Sequence, residues 1–279
     1  MDTSTISDGG GWEPGRYVQI MGIPFAAITE QEAADAIVDA AVRRSGYWII
    51  TANLDHVRRY RRDEVAKHLL DAADVIVADG MPLIWASRLA GEPLPERIAG
   101  SNLIWSISRL AGIKHASVFL LGGNPGVAEL AAATLQRSES GLTVAGTCCP
   151  RIGFEADTEE LERIEVAVTE ADPRIVFVGL PFPKQELLII RLRRILPDTA
   201  FIGVGISFSF VGGELSRAPE WTHGLGLEWL FRLRQEPKRL ARRYLVHGVP
   251  FALQLLLVAA RRRVLRLCTG RARRWHADA

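Results

Sequence analysis

Two short apolar runs in the first part of the sequence end in side chains suited to acid-base chemistry or to hydrogen bonding with a ligand. The run that begins at Trp48 ends at Thr51 and Asn53, and the run that begins at Val75 ends at Asp79. If both runs are parallel strands, these polar side chains meet at the carboxyl edge of one sheet, where open α/β folds bind their ligands. We therefore take this edge as the candidate active centre.

Asp79 has two interpretations from the sequence. It precedes Gly80, which permits an unusual backbone angle and the close approach of a ligand. A partly desolvated carboxylate at this point would have a raised pKa and act as a general base. Asp79 could equally be the N-cap of a helix that starts at Met81 or Pro82. The residue types support the two roles equally.

A glycine turn follows a later apolar run and opens a predicted helix. Its glycines are Gly122, Gly123 and Gly126. Backbone amides and the helix N-terminus could hold a phosphate there, although such a turn is often simply tight. The turn has neither the G-x-G-x-x-G pattern nor the lysine of a P-loop, so it is a weak signal for a nucleotide.

A second turn, which begins at Gly179, is more informative. Pro181 and Pro183 make it rigid, so that Lys184 and Gln185 are expected to project at the carboxyl edge of the sheet. These two side chains suit a diphosphate and sugar hydroxyls, respectively. Lys184 also has an ordinary explanation as a solvated charge at a helix start.

Several other catalytic patterns are missing from the sequence. The histidines show neither H-x-x-x-H nor H-E-x-x-H spacing, no G-x-S-x-G elbow is present, and no D-x-D pair ends a predicted strand. These absences argue against metallohydrolase, serine hydrolase and metal-held nucleotide sites. We expect no metal site, so that arginines or helix N-termini must neutralise any diphosphate. Cys148, Cys149 and Cys268 lack metal-ligand spacing and indicate small buried or surface thiols.

The order of segments predicts an α/β fold. With 279 residues, 48% of them apolar, the chain can form one large domain or a domain with an appendage. After a flexible N-terminus at 1–16, a capping box at Thr29 and Glu32 precedes a helix to about Arg44. Apolar runs then alternate with amphipathic helices, which predicts a Rossmann-like, mostly parallel sheet covered on both faces over residues 17–211. The predicted strands are Tyr47–Ala52, Val75–Ala78, Val118–Leu121, Leu142–Ala145, Ile175–Val178 and Ala200–Val204, with a strand or turn at Met21–Phe25.

Charge is distributed unevenly along the chain. Residues 1–229 contain 21 Lys and Arg against 30 Asp and Glu, whereas residues 230–279 contain 13 against 2. Residues 212–279 are therefore predicted to form a basic helical appendage, with one helix from Pro219 through Leu233. Such a region indicates an anionic partner, which could be a membrane surface, a nucleic acid or a phosphorylated ligand.

An apolar segment in this appendage, Val249–Ala260, lies between arginines. Twelve residues in a helix reach roughly 18 Å, against about 30 Å for the hydrocarbon core of a bilayer, so we expect the segment to be too short to span. It fits an in-plane anchor at an anionic inner leaflet, although a core helix or a dimer-forming helix would have the same pattern. The N-terminus has no signal-peptide pattern, so we expect a cytoplasmic protein held peripherally on the inner face of the plasma membrane.

Several motifs occur in a fixed order between Tyr17 and Leu257. They are Thr51-Ala52-Asn53, Ala78-Asp79-Gly80-Met81-Pro82, Leu121-Gly122-Gly123 with Gly126, Val178-Gly179-Leu180-Pro181 with Pro183-Lys184-Gln185-Glu186, Arg217-Ala218-Pro219, and Leu227-Glu228-Trp229 with Arg232 through Glu236-Pro237. In this order they resemble the WecG/TagA/CpsF glycosyltransferases, family 26. The ordered match is much more specific than any single glycine turn.

The resemblance implies an inverting, metal-independent transferase without a cofactor. It would move a sugar, typically N-acetylmannosamine or its uronic acid, from a UDP donor to an undecaprenyl-diphosphate-linked sugar in the synthesis of a cell-surface polysaccharide. Carried over to this sequence, the resemblance makes Asp79 the general base, and Thr51, Asn53 and Gln185 would line the sugar pocket.

The same resemblance assigns a role to the appendage. Arg232, Arg239 and Arg242 would bring positive charge to the diphosphate. The appendage of such enzymes folds over the site at the membrane, often as an oligomer dissociates, so a homo-oligomer is also expected.

Two other classes of protein are compatible with parts of the sequence. A Rossmann-type oxidoreductase using the Gly122 turn would need an acidic residue about 20 positions further on to bind a ribose, and residues 143–146 offer none. A non-catalytic nucleic-acid-binding protein would use the basic tail, but that tail lacks a run of interleaved aromatic residues. We therefore expect no nucleic-acid partner.

Overall fold

A six-stranded parallel sheet lies at the centre of the protein. The computed structural model describes residues 15–219 and 226–275, with side chains except at Arg239 and at residues 269–275. Most of the predicted flexible N-terminus, residues 1–14, lies outside the described residues. The sheet and the helices on its two faces confirm the predicted Rossmann-like α/β fold.

The strands run in the order β4-β3-β8-β7-β5-β6, and each neighbouring pair is parallel. A separate antiparallel hairpin, β1 and β2, replaces the single strand or turn predicted at its position. The predicted strand near residues 142–145 lies two to three residues later, as β6. The bounds are β1 (Tyr17–Ile20), β2 (Ile23–Ala26), β3 (Tyr47–Ala52), β4 (Val75–Ala78), β5 (Val118–Gly122), β6 (Val144–Cys148), β7 (Ile175–Gly179) and β8 (Ala200–Gly203).

Helices cover both faces because alternate strand residues point to opposite sides. On β3, Trp48 and Ile50 belong to one buried cluster and Ile49 to the other. Helices α1, α5, α6 and α9 pack on the side of Ile49, and α2, α3, α4, α7 and α8 pack on the side of Trp48. Their bounds are α1 (Glu30–Arg43), α2 (Leu54–Tyr60), α3 (Glu64–Asp71), α4 (Met81–Ala90), α5 (Gly100–Ile113), α6 (Val127–Ser138), α7 (Thr158–Ala171), α8 (Lys184–Ile195) and α9 (Ser207–Val211), with a 3-10 turn at Phe154–Ala156.

Local sequence signals fix where some of these helices begin. The Thr29 hydroxyl accepts a hydrogen bond from the Glu32 amide at 3.2 Å, and the Glu32 carboxylate accepts one from the Thr29 amide at 2.7 Å. This reciprocal pair satisfies amides that a helix start leaves without a partner. The predicted capping box is thereby confirmed.

The topology opens a crevice at the carboxyl edge of the sheet. Strands β3 and β8 are neighbours, but the chain continues from β3 to β4 on one side and reaches β8 from β7 on the other. Helix α2 then leaves β3 toward one face, through Val57, while α9 leaves β8 toward the opposite face, through Phe208. Open α/β sheets bind ligands where successive segments diverge in this way.

The appendage is helical and longer than the apolar pattern predicted. It contains α10 (Glu228–Gln235), α11 (Pro237–Ala241), a π-helical segment (Arg242–Gly248) and α12 (Val249–Trp275). Residues 220–225 of the helix predicted from Pro219 lie outside the described residues. Within the described part, Arg242–Cys268 is one stretch long and apolar enough, by length and composition, to cross a membrane. The expectation of a segment too short to span rested on twelve residues, and the apolar stretch is longer than that because the helix also includes Arg242–Gly248 ahead of Val249.

Helix α12 lies along the body of the protein. Phe251, Leu255 and Ala259, spaced four residues apart, are buried in the same cluster as α4. Beyond them, Arg262 donates a hydrogen bond to the carbonyl of Gln19 at 2.5 Å. Arg266 pairs with Glu92, also at 2.5 Å. One side of α12 is thus fixed to the α/β core by apolar packing and by polar contacts.

Candidate active site

The predicted edge residues line one cleft of about 890 Å³ at the carboxyl end of the sheet. Thr51, Asn53 and Asp79 lie on the β3 and β4 side of this cleft, and Gln185 reaches it from α8. The structure therefore brings together four side chains that are up to 134 positions apart in the sequence. A cleft of this size is in the range of small-molecule sites, about 300–1,000 Å³.

Thr51 and Asn53 are partly engaged by hydrogen bonds within the protein. The Thr51 hydroxyl donates to the carbonyl of Gly203 at 3.3 Å, which ties the ends of β3 and β8 together. The side-chain oxygen of Asn53 accepts from the amides of Asp55 at 3.0 Å and His56 at 3.4 Å, and so caps α2. The side-chain NH2 of Asn53 is left as the group that can donate to a ligand.

The structure excludes one of the two interpretations of Asp79, the helix cap. The N-cap of α4 is Gly80, with φ of 141°, and the cap makes no side-chain hydrogen bond. The Asp79 backbone amide donates to the carbonyl of Ala52 at 2.9 Å. The carboxylate is therefore not used as a helix cap and lines the cleft.

Asp79 lies in an unusual electrostatic environment. Its carboxylate is 3.7 Å from the guanidinium of Arg97, and that guanidinium is 2.7 Å from the carboxylate of Glu228. Burial raises the pKa of Asp79 to about 6, and the negative charge of Glu228 also raises it, while Arg97, Arg232 and Arg217 act in the opposite direction. A carboxylate with a pKa near 6 is ionised at neutral pH and still basic enough to take a proton.

Arg97 and Glu228 were not assigned to the site from the sequence. Arg97 lies in the loop between α4 and α5, and Glu228 begins α10 in the appendage, 131 residues later. Their side chains are 14% and 19% exposed, so the pair is largely withdrawn from water. Glu228 belongs to one of the family motifs, which was the only signal for it.

Gln185 is held in one orientation by its neighbours. Its side-chain NH2 donates to Glu186 at 2.9 Å, and its side-chain oxygen accepts from the amide of Gly205 at 3.0 Å. Glu186 is fully buried, and burial raises its pKa to about 7. The two contacts fix which face of the Gln185 amide meets the cleft.

The glycine turns are only partly in the cleft. Gly123 and Gly179 line it, and Gly122 lies next to them, where a Cβ atom would come within 2.5 Å of the Gly179 carbonyl oxygen. Gly126 starts α6 but does not line the cleft. Lys184 does not line it either, because its ammonium pairs with Glu155 at 2.5 Å. The structure thus gives no contact between Lys184 and the expected diphosphate position.

Two arginines of the appendage lie in the cleft wall. Arg232 and Arg242 line it, while the side chain of Arg239 lies outside the described part of the structure. Within the described residues, no group of three His, Cys, Asp or Glu side chains is placed to hold a metal ion. Positive charge in the described cleft comes from arginine side chains.

A further group of arginines surrounds Asp55 at the mouth of the cleft. Arg58 is 2.7 Å from the Asp55 carboxylate, Arg59 is 3.0 Å from it, and Arg243 of the appendage is 3.6 Å from it. Burial acts to raise the pKa of Asp55, but the arginines outweigh it and hold that pKa below its usual value. Neighbouring His56 is half-buried, and its partial removal from water lowers its pKa to about 4 and keeps the ring neutral at physiological pH.

Comparison with known proteins identifies the family. The sequence profile of the "Glycosyl transferase WecG/TagA/CpsF family" matches residues 18–265. The chain belongs to this family. It is therefore a glycosyltransferase, and the resemblance seen in the ordered motifs is confirmed.

Relatives of this glycosyltransferase cover most of its length. A protein of Bacillus spizizenii is 31% identical over 200 residues, which are 72% of this chain and 76% of the relative. A protein of Staphylococcus aureus (strain MW2) is 31% identical over 227 residues, which are 81% of this chain and 87% of the relative. Both relatives are named N-acetylglucosaminyldiphosphoundecaprenol N-acetyl-beta-D-mannosaminyltransferase.

The raised pKa of Asp79 predicts a pH-dependent loss of stability. Between about pH 4 and pH 6 the folded glycosyltransferase keeps a proton on Asp79 that the unfolded chain has released, so the free energy of unfolding falls as pH rises. Asp79→Asn removes this effect and is expected to be more stable than the unmodified chain at pH 7.5, with a smaller difference at pH 4.5. Urea unfolding at both pH values measures it. Asp198→Asn, just before the amino end of β8, is the matched control and should show no such dependence on pH. If Asp79→Asn differed from the unmodified chain by the same free energy of unfolding at both pH values, the raised pKa of Asp79 would be contradicted.

Glu228 is predicted to set the basicity of Asp79. In Glu228→Gln the negative charge that raises the pKa of Asp79 is gone and Arg97 loses its partner. Both changes favour the ionised carboxylate, so the acid limb of the pH profile of kcat/KM should move to lower pH. Glu64→Gln removes the same charge at an exposed position on α3 that does not line the cleft, and should move the limb less. An unchanged pH profile in Glu228→Gln would show that Glu228 does not influence the pKa of Asp79.

Proposed function

We propose that this glycosyltransferase moves N-acetylmannosamine or a related hexose from a UDP-sugar to a polyprenyl-diphosphate-linked sugar in cell-envelope polysaccharide synthesis. The observation that carries the proposal is the position of Asp79, a carboxylate of raised pKa between polar groups of the sheet edge and arginines of the appendage. The names of both relatives, which describe a mannosaminyl transfer to a diphosphoundecaprenol-linked sugar, support it.

Asp79 acts as the general base in the proposed reaction. The acceptor hydroxyl oxygen attacks the anomeric carbon of the donor sugar from the face opposite UDP, and Asp79 takes the hydroxyl proton. The bond between the anomeric carbon and the diphosphate oxygen breaks, and its electron pair leaves with UDP. Because attack and departure occur on opposite faces, the configuration inverts. Thr51, Asn53 and Gln185 hydrogen-bond the sugar hydroxyls and orient the anomeric carbon.

Arginines stabilise the charge that develops on the departing UDP. Arg232 and Arg242 line the cleft, and Arg97 lies between Asp79 and Glu228. Guanidinium groups bind phosphate oxygens in a bidentate geometry and keep their charge at all relevant pH values. In the proposed reaction they take the role that a divalent cation has in metal-dependent transferases.

The enzyme works on the inner face of the plasma membrane in this proposal. The side of α12 opposite Phe251 and Leu255 carries exposed apolar residues, among them Val249, Leu253 and Val264. Arginines precede and follow the apolar stretch. A helix fixed to the protein on one side and apolar on the other suits a position in the plane of an anionic membrane surface.

Removal of the proposed base is expected to abolish most activity. Asp79→Asn keeps the size of the side chain but cannot take a proton, so turnover should fall on the order of 10²-fold or more. In the unmodified enzyme, kcat/KM should rise with pH and level off above about pH 6, where Asp79 is ionised. The assay is transfer of sugar from UDP-N-acetylmannosamine to a polyprenyl-diphosphate-linked N-acetylglucosamine. Asp198→Asn should keep normal turnover, and normal turnover in Asp79→Asn would refute the role.

Binding to membranes is expected to depend on the arginines of α12. Each basic residue near an anionic surface contributes about 1 kcal/mol, so Arg261→Glu should weaken partitioning on the order of tenfold or more. Cosedimentation of the full chain with phosphatidylglycerol vesicles, compared with phosphatidylcholine vesicles, measures the effect. Arg137→Glu makes the same change of charge on α6, on the other face of the sheet, and should have little effect. Equal losses of vesicle binding in the two variants would indicate that binding depends on the net charge of the protein and not on contact between α12 and the membrane.

A further inference from the structure

A second cavity, of about 390 Å³, opens beside the catalytic cleft between α4 and the start of α12. We call it the side groove. It shares Asp79, Arg97, Glu228 and Arg232 with the cleft, so a molecule in the groove can reach the general base. Its outer wall is apolar and is formed by Met81, Pro82, Trp85, Trp229, Phe251, Leu253 and Leu256.

The wall of the side groove is built by close packing of the appendage on α4. Gly226 has φ of 67°, and a Cβ atom there would lie 2.8 Å from Met81 Cβ and 2.9 Å from the Trp85 ring. The rings of Trp229 and Tyr244 meet edge to face, with 6.1 Å between centroids. The groove therefore exists only where the appendage touches the α/β core.

The inner part of the side groove is positively charged. Arg58 and Arg243 line both the groove and the cleft, and both contact Asp55. Arg59 contacts the same carboxylate, so three guanidinium groups surround one negative charge. This excess of positive charge suits an anion with several oxygens, such as a diphosphate.

We propose that the side groove binds the lipid end of the acceptor. The first isoprene units lie along the apolar wall, Arg58 and Arg243 hold the diphosphate, and the acceptor sugar reaches Asp79. The inference rests on the proposed function and adds a subsite to it. A UDP-sugar has no hydrocarbon segment, so it gains nothing from the apolar wall, whereas a polyprenyl diphosphate has both the anionic head and the apolar tail that the groove accommodates.

The mouth of the side groove is on the exposed side of α12. Leu253 lines the groove and is also 59% exposed, so it lies where the groove meets the surroundings. Leu257, one helical turn further along, is 63% exposed and does not line the groove. The two leucines have nearly the same exposure on the same helix and differ in contact with the groove, which makes them a matched pair.

A soluble probe tests the subsite without requiring transfer. Farnesyl diphosphate, kept below the concentration at which it forms micelles, is titrated into the full-length chain without detergent. Quenching of tryptophan fluorescence reports binding because Trp85 and Trp229 line the groove. Farnesyl diphosphate should bind on the order of tenfold or more tightly than inorganic diphosphate, and Leu253→Gln should remove most of that difference whereas Leu257→Gln should keep it.

A second pair of variants, Arg58→Gln and Arg62→Gln, tests the positively charged part of the subsite. Arg58→Gln should weaken binding of farnesyl diphosphate on the order of tenfold, with the KM for the UDP-sugar nearly unchanged. Arg62→Gln, an exposed arginine just after α2, should bind the probe normally. A donor KM that rises in parallel with the loss of probe binding would place Arg58 at the donor diphosphate instead and overturn this part of the proposal.

The remaining outcomes separate the two proposals. Equal binding of the probe by Leu253→Gln and Leu257→Gln, or binding no tighter than that of inorganic diphosphate, overturns the side groove as a lipid subsite even if the enzyme transfers sugar. Selective loss in Leu253→Gln in an enzyme that transfers no sugar from any UDP-sugar supports the subsite and refutes the proposed transfer reaction.

Discussion

The ion pair between Arg97 and Glu228 joins the two parts of the molecule on which the active site depends. Arg97 comes from the α/β core and Glu228 from the appendage, and the pair lies beside Asp79. Because both side chains are largely buried, loss of Arg97 would leave the negative charge of Glu228 uncompensated in a poorly solvated place. Docking of the appendage therefore decides both the charge around Asp79 and its affinity for a proton. In the proposed function, a site completed in this way is coupled to the position of helix α12.

The site also shows the usual conflict between stability and function. The folded chain keeps Asp79 in surroundings that disfavour its ionised form. Glu186 is buried beside Gln185, where its carboxyl group accepts a hydrogen bond that orients the Gln185 side chain. In both cases burial disfavours the charged form of the carboxyl group and raises its pKa. Such departures from well-packed, fully paired structure are expected where a protein performs chemistry. The parallel sheet, whose strands other than β6 are almost completely buried, supplies the stability that allows them.

Helix α12 has three surfaces with different surroundings. One packs on α4 through Phe251 and Leu255, a second borders the side groove, and a third is exposed and apolar. This division explains why a single helix is fixed to the protein and is at the same time long and apolar enough, by length and composition, to cross a membrane. In the proposed function it brings a lipid-linked substrate from the membrane plane to a base at a sheet edge, without a separate transfer of the lipid through water.

The layout of the fold follows from local features of the sequence. Helix caps, glycine turns and apolar runs act locally, so the α/β order, the capping box at Thr29 and the meeting of Thr51, Asn53 and Asp79 at one edge were all predictable. The ion-pair partners of the charged residues, by contrast, depend on the tertiary structure. Arg97 and Glu228 meet across 131 positions, Arg58 gains Arg243 as a neighbour only when the appendage docks, and Lys184 pairs with Glu155 rather than facing the cleft. The physical reason is that a charge pairs with whatever opposite charge the completed fold brings near it, and a local pattern carries no information about that distance.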